Sequence, residues 1–331
     1  MLVAASLADL IAALKASADG DVIYLEPGDF AGRVSGFSKR VTITSADLAE
    51  PANVAGLRLN GCTGLTLSLL DLRDALKAKL LEIDGCDQIT LAGLVGVGDL
   101  PANIARTVEQ IGVNLRNSTR TAISGCDLSG LARGIVASRA DDTLITGSLL
   151  HDLAFDGISA GTVSRFWVVG NSFTAFKPPP GAHPDGVAIT RTRQGAPSRD
   201  IWIVRNFFNT ARTQGVHVGK DSEAYRHERI TVSGNIMVMG SGYQNQVHVT
   251  LTDGVRIGAN VVLWPEGAPR PFIRTEGNTG ERILANRAGG YMPYPPPAGN
   301  DELGEMSEDE VRAEVVGWSS QALAGKVLAP A

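Results

Sequence analysis

Between Ser148 and Asn260 one short phrase returns four times, as HDLAFDGISA, GAHPDGVAIT, ARTQGVHVGK and YQNQVHVTLT. Aligned on the apolar residue that follows each glycine or glutamine, the copies superpose Ile158, Val187, Val216 and Val247, each alternating with a second small or apolar position. Alternation of period two is the signature of a strand with one face buried, not of a helix. A strand phrase repeated without a helical segment between copies restricts the chain to stacked coils of short strands.

A second column runs through the same stretch and past both of its ends. It reads Cys62, Cys86, Cys126, Ser148, Asn171, Asn206, Asn235, Asn260 and Asn286, in phrases such as RLNGCTG, WVVGNSF, WIVRNFF and TVSGNIM. Where no insertion intervenes the steps are about 22 to 26 residues, the length of one solenoid repeat. Two short strands and their turns fit into each step. About ten coils at the strand spacing of ~4.8 Å give a body on the order of 50 Å long.

Composition agrees with a single elongated domain. The 331 residues include 38 glycines and only 5% aromatic residues, as expected where many turns join short buried strands. The three cysteines, Cys62, Cys86 and Cys126, sit beside glycines in the repeat and are expected to be small buried residues of one stack. In the opening segment, Leu7, Leu10, Ile11 and Leu14 mark one face of a short helix ending near Asp19-Gly20. Such a helix would cover the apolar core and strand edges of the first coil. Asp9 and Lys15 interrupt that segment and no basic leader precedes it, so no signal peptide is evident, and an extracellular or virion-associated location is compatible with the sequence. No run of about 18 apolar residues exists, so membrane insertion is not expected.

Residues 73–83, RDALKAKLLEI, fit either a short surface helix or a strand, and 98–110 break the repeat as a loop or one-turn helix. Prolines and glycines then punctuate insertions at 177–181 and 191–200, and a third follows Val218. Insertions in a solenoid map to one face, often the binding face. Residues 1–288 are thus expected to form the capped solenoid. Residues 289–331 form a C-terminal extension packing on it, with Val315, Val316 and Trp318 against a lower coil.

At this point the chain resembles the right-handed parallel β-helix proteins of the pectin-lyase-like class. The resemblance rests on Asp19-Gly20-Asp21 followed by Ile23-Tyr24-Leu25 and Pro27-Gly28, and on the recurring asparagine-centred turns, over residues 7–286. It implies an all-β, right-handed parallel β-helix solenoid with an N-terminal capping helix. Its members include lyases, glycoside hydrolases, epimerases and viral tail-spike proteins. The chain carries no clear match to the aspartate pair and His-Gly set of polygalacturonases, nor to the Asp-Pro-His-Glu signature of alginate epimerases.

In register, Asp156 and Asp185 precede Gly157 and Gly186 on adjacent coils, with Gln214 and then Gln246 in the neighbouring positions. Two stacked carboxylates can hold one proton at raised pKa, which serves acid and base work on a glycosidic bond. Asp-Gly is also a common turn former, and the sequence leaves both readings open. The next outward position carries Ser159, Ala188, His217 and His248, with His183 close to Asp185. The spacing of the histidines shows no metal geometry. From Thr174 to Ile230 nine basic residues stand against five acidic ones in a chain of formal net charge −5. A local positive field favours an anionic partner. The basic residues are few and no stacking aromatics are read as interleaving with them, so an anionic polysaccharide is expected rather than nucleic acid.

The candidate catalytic residues are Asp156, Asp185, His217 and Lys220. The candidate substrate-binding residues are Lys177, His183, Arg191, Arg212, Gln214 and His248. In a hydrolase the two aspartates share the acid and base roles while Arg212 and Lys220 hold the substrate. In a lyase Lys220, Arg212 or His217 takes the proton beside a carboxylate neutralised by Arg191 or a divalent ion. No cofactor is required by either route, although a divalent cation such as calcium is compatible with the second. The reading from a different class is a non-catalytic carbohydrate-binding or structural module, such as a viral tail component. An oligomer is compatible with all three.

Overall fold

A computed structural model of the chain describes residues 2–105, 109–190, 196–210, 213–219, 226–240, 244–292, 296–304 and 306–323. Its strands form three parallel sheets of 12, 10 and 11 members, here the first, second and third sheet. The chain visits them in that order, for example through Asp141–Thr146, Leu149–His151 and Ile158–Gly161. Each coil therefore carries three strands, not the two expected from sequence. Several second-sheet strands span three residues, too short to show an alternation.

Inward positions stack in register from coil to coil. In the first sheet Phe166 faces Ile201 and Ile201 faces Ile230, and all three are fully buried. In the second sheet Phe173 and Phe208 stack with ring centroids 4.7 Å apart. Each coil alone would leave its apolar face wet, so stability comes from stacking neighbours.

The corner between the first and second sheets is a ladder of buried side-chain amides. Asn171, Asn206, Asn235, Asn260, Asn286 and Asn300 each present Oδ1 to the backbone N–H of the preceding ladder residue, at 2.9–3.1 Å. The Nδ2 of Asn235 donates to Ile203 O and to Asn260 Oδ1, both at 2.9 Å, and the other rungs repeat this pattern. The residue before each rung bends the chain through the left-handed region, as Gly170 (φ 65°) does freely and Ala259 (φ 53°) at a cost.

The single cysteine column expected from sequence divides in two. Cys126 belongs to the amide ladder, where its N–H reaches Ser148 Oγ at 3.2 Å. Cys62 and Cys86 lie at the corner between the third and first sheets, where Cys62 N–H donates to Cys86 Sγ and Cys86 N–H to Ser118 Oγ. The coil length of about two dozen residues is the same at every corner, so spacing alone cannot separate them.

Helix α1 (Leu7–Ala16) is N-capped by Ser6 and buries Leu10 and Leu14 against the first coil, with Leu7 and Ile11 half-buried beside them. Residues 73–83 resolve into the ends of strands Asp71–Arg73 and Lys79–Asp84. Within 98–110, helix α2 (Leu100–Ile104) starts at an Asp99 cap. Strand pairing extends through Gly290–Met292 in the third sheet and Asp301–Glu302 in the second. Helix α3 (Glu308–Leu323) lies on the second sheet, with Val311 and Val315 packed on Ile236 and Leu263 and an Arg287–Glu314 ion pair at 3.1 Å. Val316, expected on the core side, is 58% exposed, because the helix turns Val311 and Val315, four apart, to the sheet. The side chain of Trp318 lies outside the described set. Among the described residues no helix is long and apolar enough to cross a membrane.

Candidate functional site

The third sheet carries the phrase with which the sequence began. Ile158, Val187, Val216 and Val247 stack inward at full burial, while Ser159, Ala188, His217 and His248 form the adjacent outward column. Immediately before the inward residue stands glycine in five successive coils, at 112, 134, 157, 186 and 215. A Cβ on Gly186 would fall 2.5 Å from the Phe208 ring and 2.7 Å from Gly215 O. None of these five has positive φ. Glycine is required here by close approach rather than by a turn, so Asp156-Gly157 and Asp185-Gly186 are not turn dipeptides.

The residue ahead of the first of these glycines is Ile111, and those ahead of the other four are Arg133, Asp156, Asp185 and Gln214 on four successive coils. The two aspartates meet. The N–H of Asp185 donates to Asp156 Oδ1 at 3.2 Å, and Arg133 Nε lies 3.6 Å from Asp156 Oδ2. Arg133 also stacks over Phe155 at 5.5 Å and reaches Glu109 at 3.3 Å. Burial raises the pKa of Asp156, and Arg133, the Asp185 N–H and Ser159 oppose the rise. Asp185 is 5% exposed, and its Oδ1 has no hydrogen-bond partner among the described residues. Burial, and then the neighbouring Asp156 charge, push its carboxyl well above the usual carboxylate range.

Three imidazoles follow. His183 Nδ1 stands 3.5 Å from Asp185 Oδ1. The His183 ring meets His217 edge-on at 6.4 Å, and His217 lies 5.3 Å from His248. His248 Nε2 is buried with no hydrogen-bond partner among the described residues, and burial together with the Arg274 charge holds the ring below the usual histidine range. Gln214 faces Asp185 in register, fully buried, with Nε2 on Val216 O at 3.4 Å. Gln246 falls opposite Gly215 instead, at a register shift, and its Nε2 donates to Thr213 O.

Not every expected residue joins this group. Lys177 pairs with Asp152 at 2.6 Å, and Asp152 is also 2.6 Å from His151. Arg191, Arg212 and Lys220 lie outside the described residues. The positive window at 174–230 also divides between faces. Arg199 and Arg229 are on first-sheet strands, and Arg229 is engaged by Asp200 at 2.6 Å. Sequence reasoning missed Arg133 and Arg274. Arg133 was legible as Arg-Gly-Ile ahead of the two Asp-Gly phrases, and Arg274 as the residue facing His248 one coil on. Among the described residues no group of three or more His, Cys, Asp or Glu side chains is placed to hold a metal ion.

No family model and no curated protein sequence matches the chain. Solved structures do. An alginate lyase from Paenibacillus sp. str. FPU-7 superposes with a TM-score of 0.52 at 16% identity, over 92% of this chain and 98% of that one. A surface adhesin of Streptococcus pneumoniae gives 0.56 at 11% identity, over 92% and 93%. The A-module of a mannuronan C-5 epimerase from Azotobacter vinelandii gives 0.53 at 13%, over 92% and 96%. At these identities the likeness is one of fold, shared by proteins named as enzymes and as an adhesin. The resemblance read from the turns is borne out: the chain is a parallel β-helix protein.

Proposed function

We propose that the chain cleaves an anionic, uronate-bearing polysaccharide by β-elimination on the third sheet, with Asp185 as the proton donor. The observation that carries this reading is the buried Oδ1 of Asp185, which accepts no hydrogen bond among the described residues, faces His183 Nδ1 at 3.5 Å and feels the Asp156 charge. A carboxyl so placed keeps its proton to higher pH than usual and can deliver it to a leaving oxygen. Asp156 is engaged by a backbone N–H and by Arg133, which suits it to setting the charge beside Asp185 and not to attacking or activating water. That arrangement favours elimination over hydrolysis by two free carboxylates.

The base in this reading is His217, on the outward column one coil beyond Asp185 and linked to it through the His183 ring, with His248 kept neutral next to it. It removes the C5 proton of a uronate, the electron pair forms the C4=C5 double bond, and the C4–O4 bond breaks. The departing oxygen takes the proton of Asp185. Arg274, Arg191, Arg212 and Lys220 are the cations proposed to neutralise the uronate carboxylate, which acidifies C5. His183 and Lys177 are proposed to contact flanking sugars, while Gln214, fully buried beneath them, is proposed to support the site rather than touch substrate.

The test is a panel of acidic polysaccharides, with and without chelator, read for ultraviolet absorbance of unsaturated ends and for new reducing ends. The expected result is absorbance and reducing ends together, falling about a thousandfold in Asp185→Asn. The rate should decline as pH rises through the elevated Asp185 value, because the donor proton is lost. Reducing ends without absorbance assign hydrolysis instead, and glycan binding without product assigns a binding module. Loss of activity with chelator would add a divalent cation such as calcium to the site.

A further inference from the structure

The third sheet does not end at the histidines. Followed towards the N-terminus, its outward column reads His217, Ala188, Ser159, Val136, Asn114, Glu82, Arg58 and Arg33, one residue per coil and in continuous register. Glu82 is 13% exposed and sits among three cations: Lys79 at 3.3 Å, Arg58 at 3.6 Å and Arg116 at 3.9 Å. With Arg33, four cations stand here against Glu82 and Asp84, and Asp84 is occupied by Asn117 Nδ2 at 2.6 Å. In a chain of net charge −5 this is a local excess of positive charge.

Asn114 is the second observation. It is 4% exposed, lies on the outward side between the inward Val113 and Leu115, and its Nδ2 is buried with no hydrogen-bond partner among the described residues. A buried amide donor left unmade costs about 1–3 kcal/mol, whereas the ladder asparagines elsewhere in this molecule satisfy every N–H. A ligand acceptor arriving on the sheet would make the missing bond.

The geometry points to a second binding region on the third sheet, centred on Asn114, Arg58 and Arg116, that holds a distant stretch of the same anionic glycan acted on at Asp185. The inference deepens the proposed function and rests on it for the identity of the ligand. Four coil steps separate Asn114 from His217, so the two regions are about 19 Å apart along the axis. A polymer lying along the sheet engages both. A trisaccharide centred on Asp185, three coil steps or about 14 Å from Asn114, does not reach it. The donor on Asn114 would take a sugar hydroxyl or carboxylate oxygen, and the guanidinium groups of Arg58 and Arg116 would take carboxylates.

Two variants test this. Arg58→Gln with Arg116→Gln removes two exposed charges, and Asn114→Leu replaces the unsatisfied amide by an apolar side chain of similar volume, which leaves the fold intact. Binding to alginate, polygalacturonate and hyaluronate polymers is measured in an Asp185→Asn background, and turnover of the matching trisaccharides in the active protein. Each variant should weaken polymer binding about tenfold at low salt, the double arginine variant alone should also flatten its salt dependence, and trisaccharide turnover should stay within a factor of two of the parent. Unchanged polymer binding, or an equal loss on trisaccharide, overturns the inference. Polymer binding that depends on Asn114 in a protein without turnover would retain the second region and reject the elimination reading.

Discussion

The amide ladder and the outward column of the third sheet bury the same kinds of side chain and treat them in opposite ways. At the ladder, Asn206, Asn235 and Asn260 are fully buried and every amide hydrogen and oxygen is matched by the neighbouring coils. On the third sheet, Asp185, Asn114 and His248 each keep a buried polar atom with no partner among the described residues. Both columns repeat once per coil on one backbone frame, so the frame is not the cause. Buried polar groups in folded proteins are nearly always paired; the hydroxyls of Thr121 and Thr143 on the first sheet are exceptions too, but the unpaired carboxyl, amide and imidazole atoms of Asp185, Asn114 and His248 gather on the third sheet, where a ligand completes the set. Polarity at burial therefore does not distinguish scaffold from site in this molecule; for its amide and ionisable side chains, completeness of hydrogen bonding does.

The contrast can be broken first at the ladder. Asn235→Ala removes two donated bonds and strands the N–H and Nδ2 of Asn206, so it should cost about 3 kcal/mol of stability, read by chemical denaturation, with any activity preserved in the fraction that remains folded. An equal substitution on the third sheet should act with the opposite sign. Asp185 has a raised folded-state pKa, so the stability it contributes is present below the ordinary carboxylate value and is lost as pH rises through the elevated one. Asp185→Asn should consequently match the parent at acid pH and exceed it by about 1–2 kcal/mol at pH 8, while turnover is lost. Were the variant less stable at every pH, Asp185 would belong with the ladder. The smallest effect sharpens the ladder itself. Ala259 holds φ 53° before its rung where Gly170 and Gly234 hold the same bend, and Ala259→Gly should add about 0.5 kcal/mol in the same denaturation assay.

Much of this was legible beforehand for definite reasons. The asparagines from 171 to 286 announce a stacked corner, because only a repeated buried amide with identical partners explains their spacing. The pairing of Asp156 with Asp185 followed from the glycine after each, which pins the register. The three-residue strands of the second sheet could not be seen, being shorter than one cycle of any pattern. The merging of Cys62 and Cys86 with Cys126 had a related cause, since a one-dimensional period identifies the coil but not the corner. The basic field around Glu82 escaped because Arg33, Arg58, Lys79 and Arg116 are scattered along the chain and converge only when coils are stacked. Counting charge in a contiguous window found instead Arg199 and Arg229, which the fold sends to another face.

The line of glycines at 112, 134, 157, 186 and 215 leaves a strip down the solenoid where nothing can grow, because the next coil's carbonyl already fills the room. Just ahead of that strip stand isoleucine, arginine, aspartate twice and glutamine on one and the same path of the backbone. The molecule thus works as a type-case with a rigid spacer and interchangeable letters. New chemistry can be set into it by exchanging a single letter per line, and transplanting Asp-Gly one line along should carry the acid to a new address.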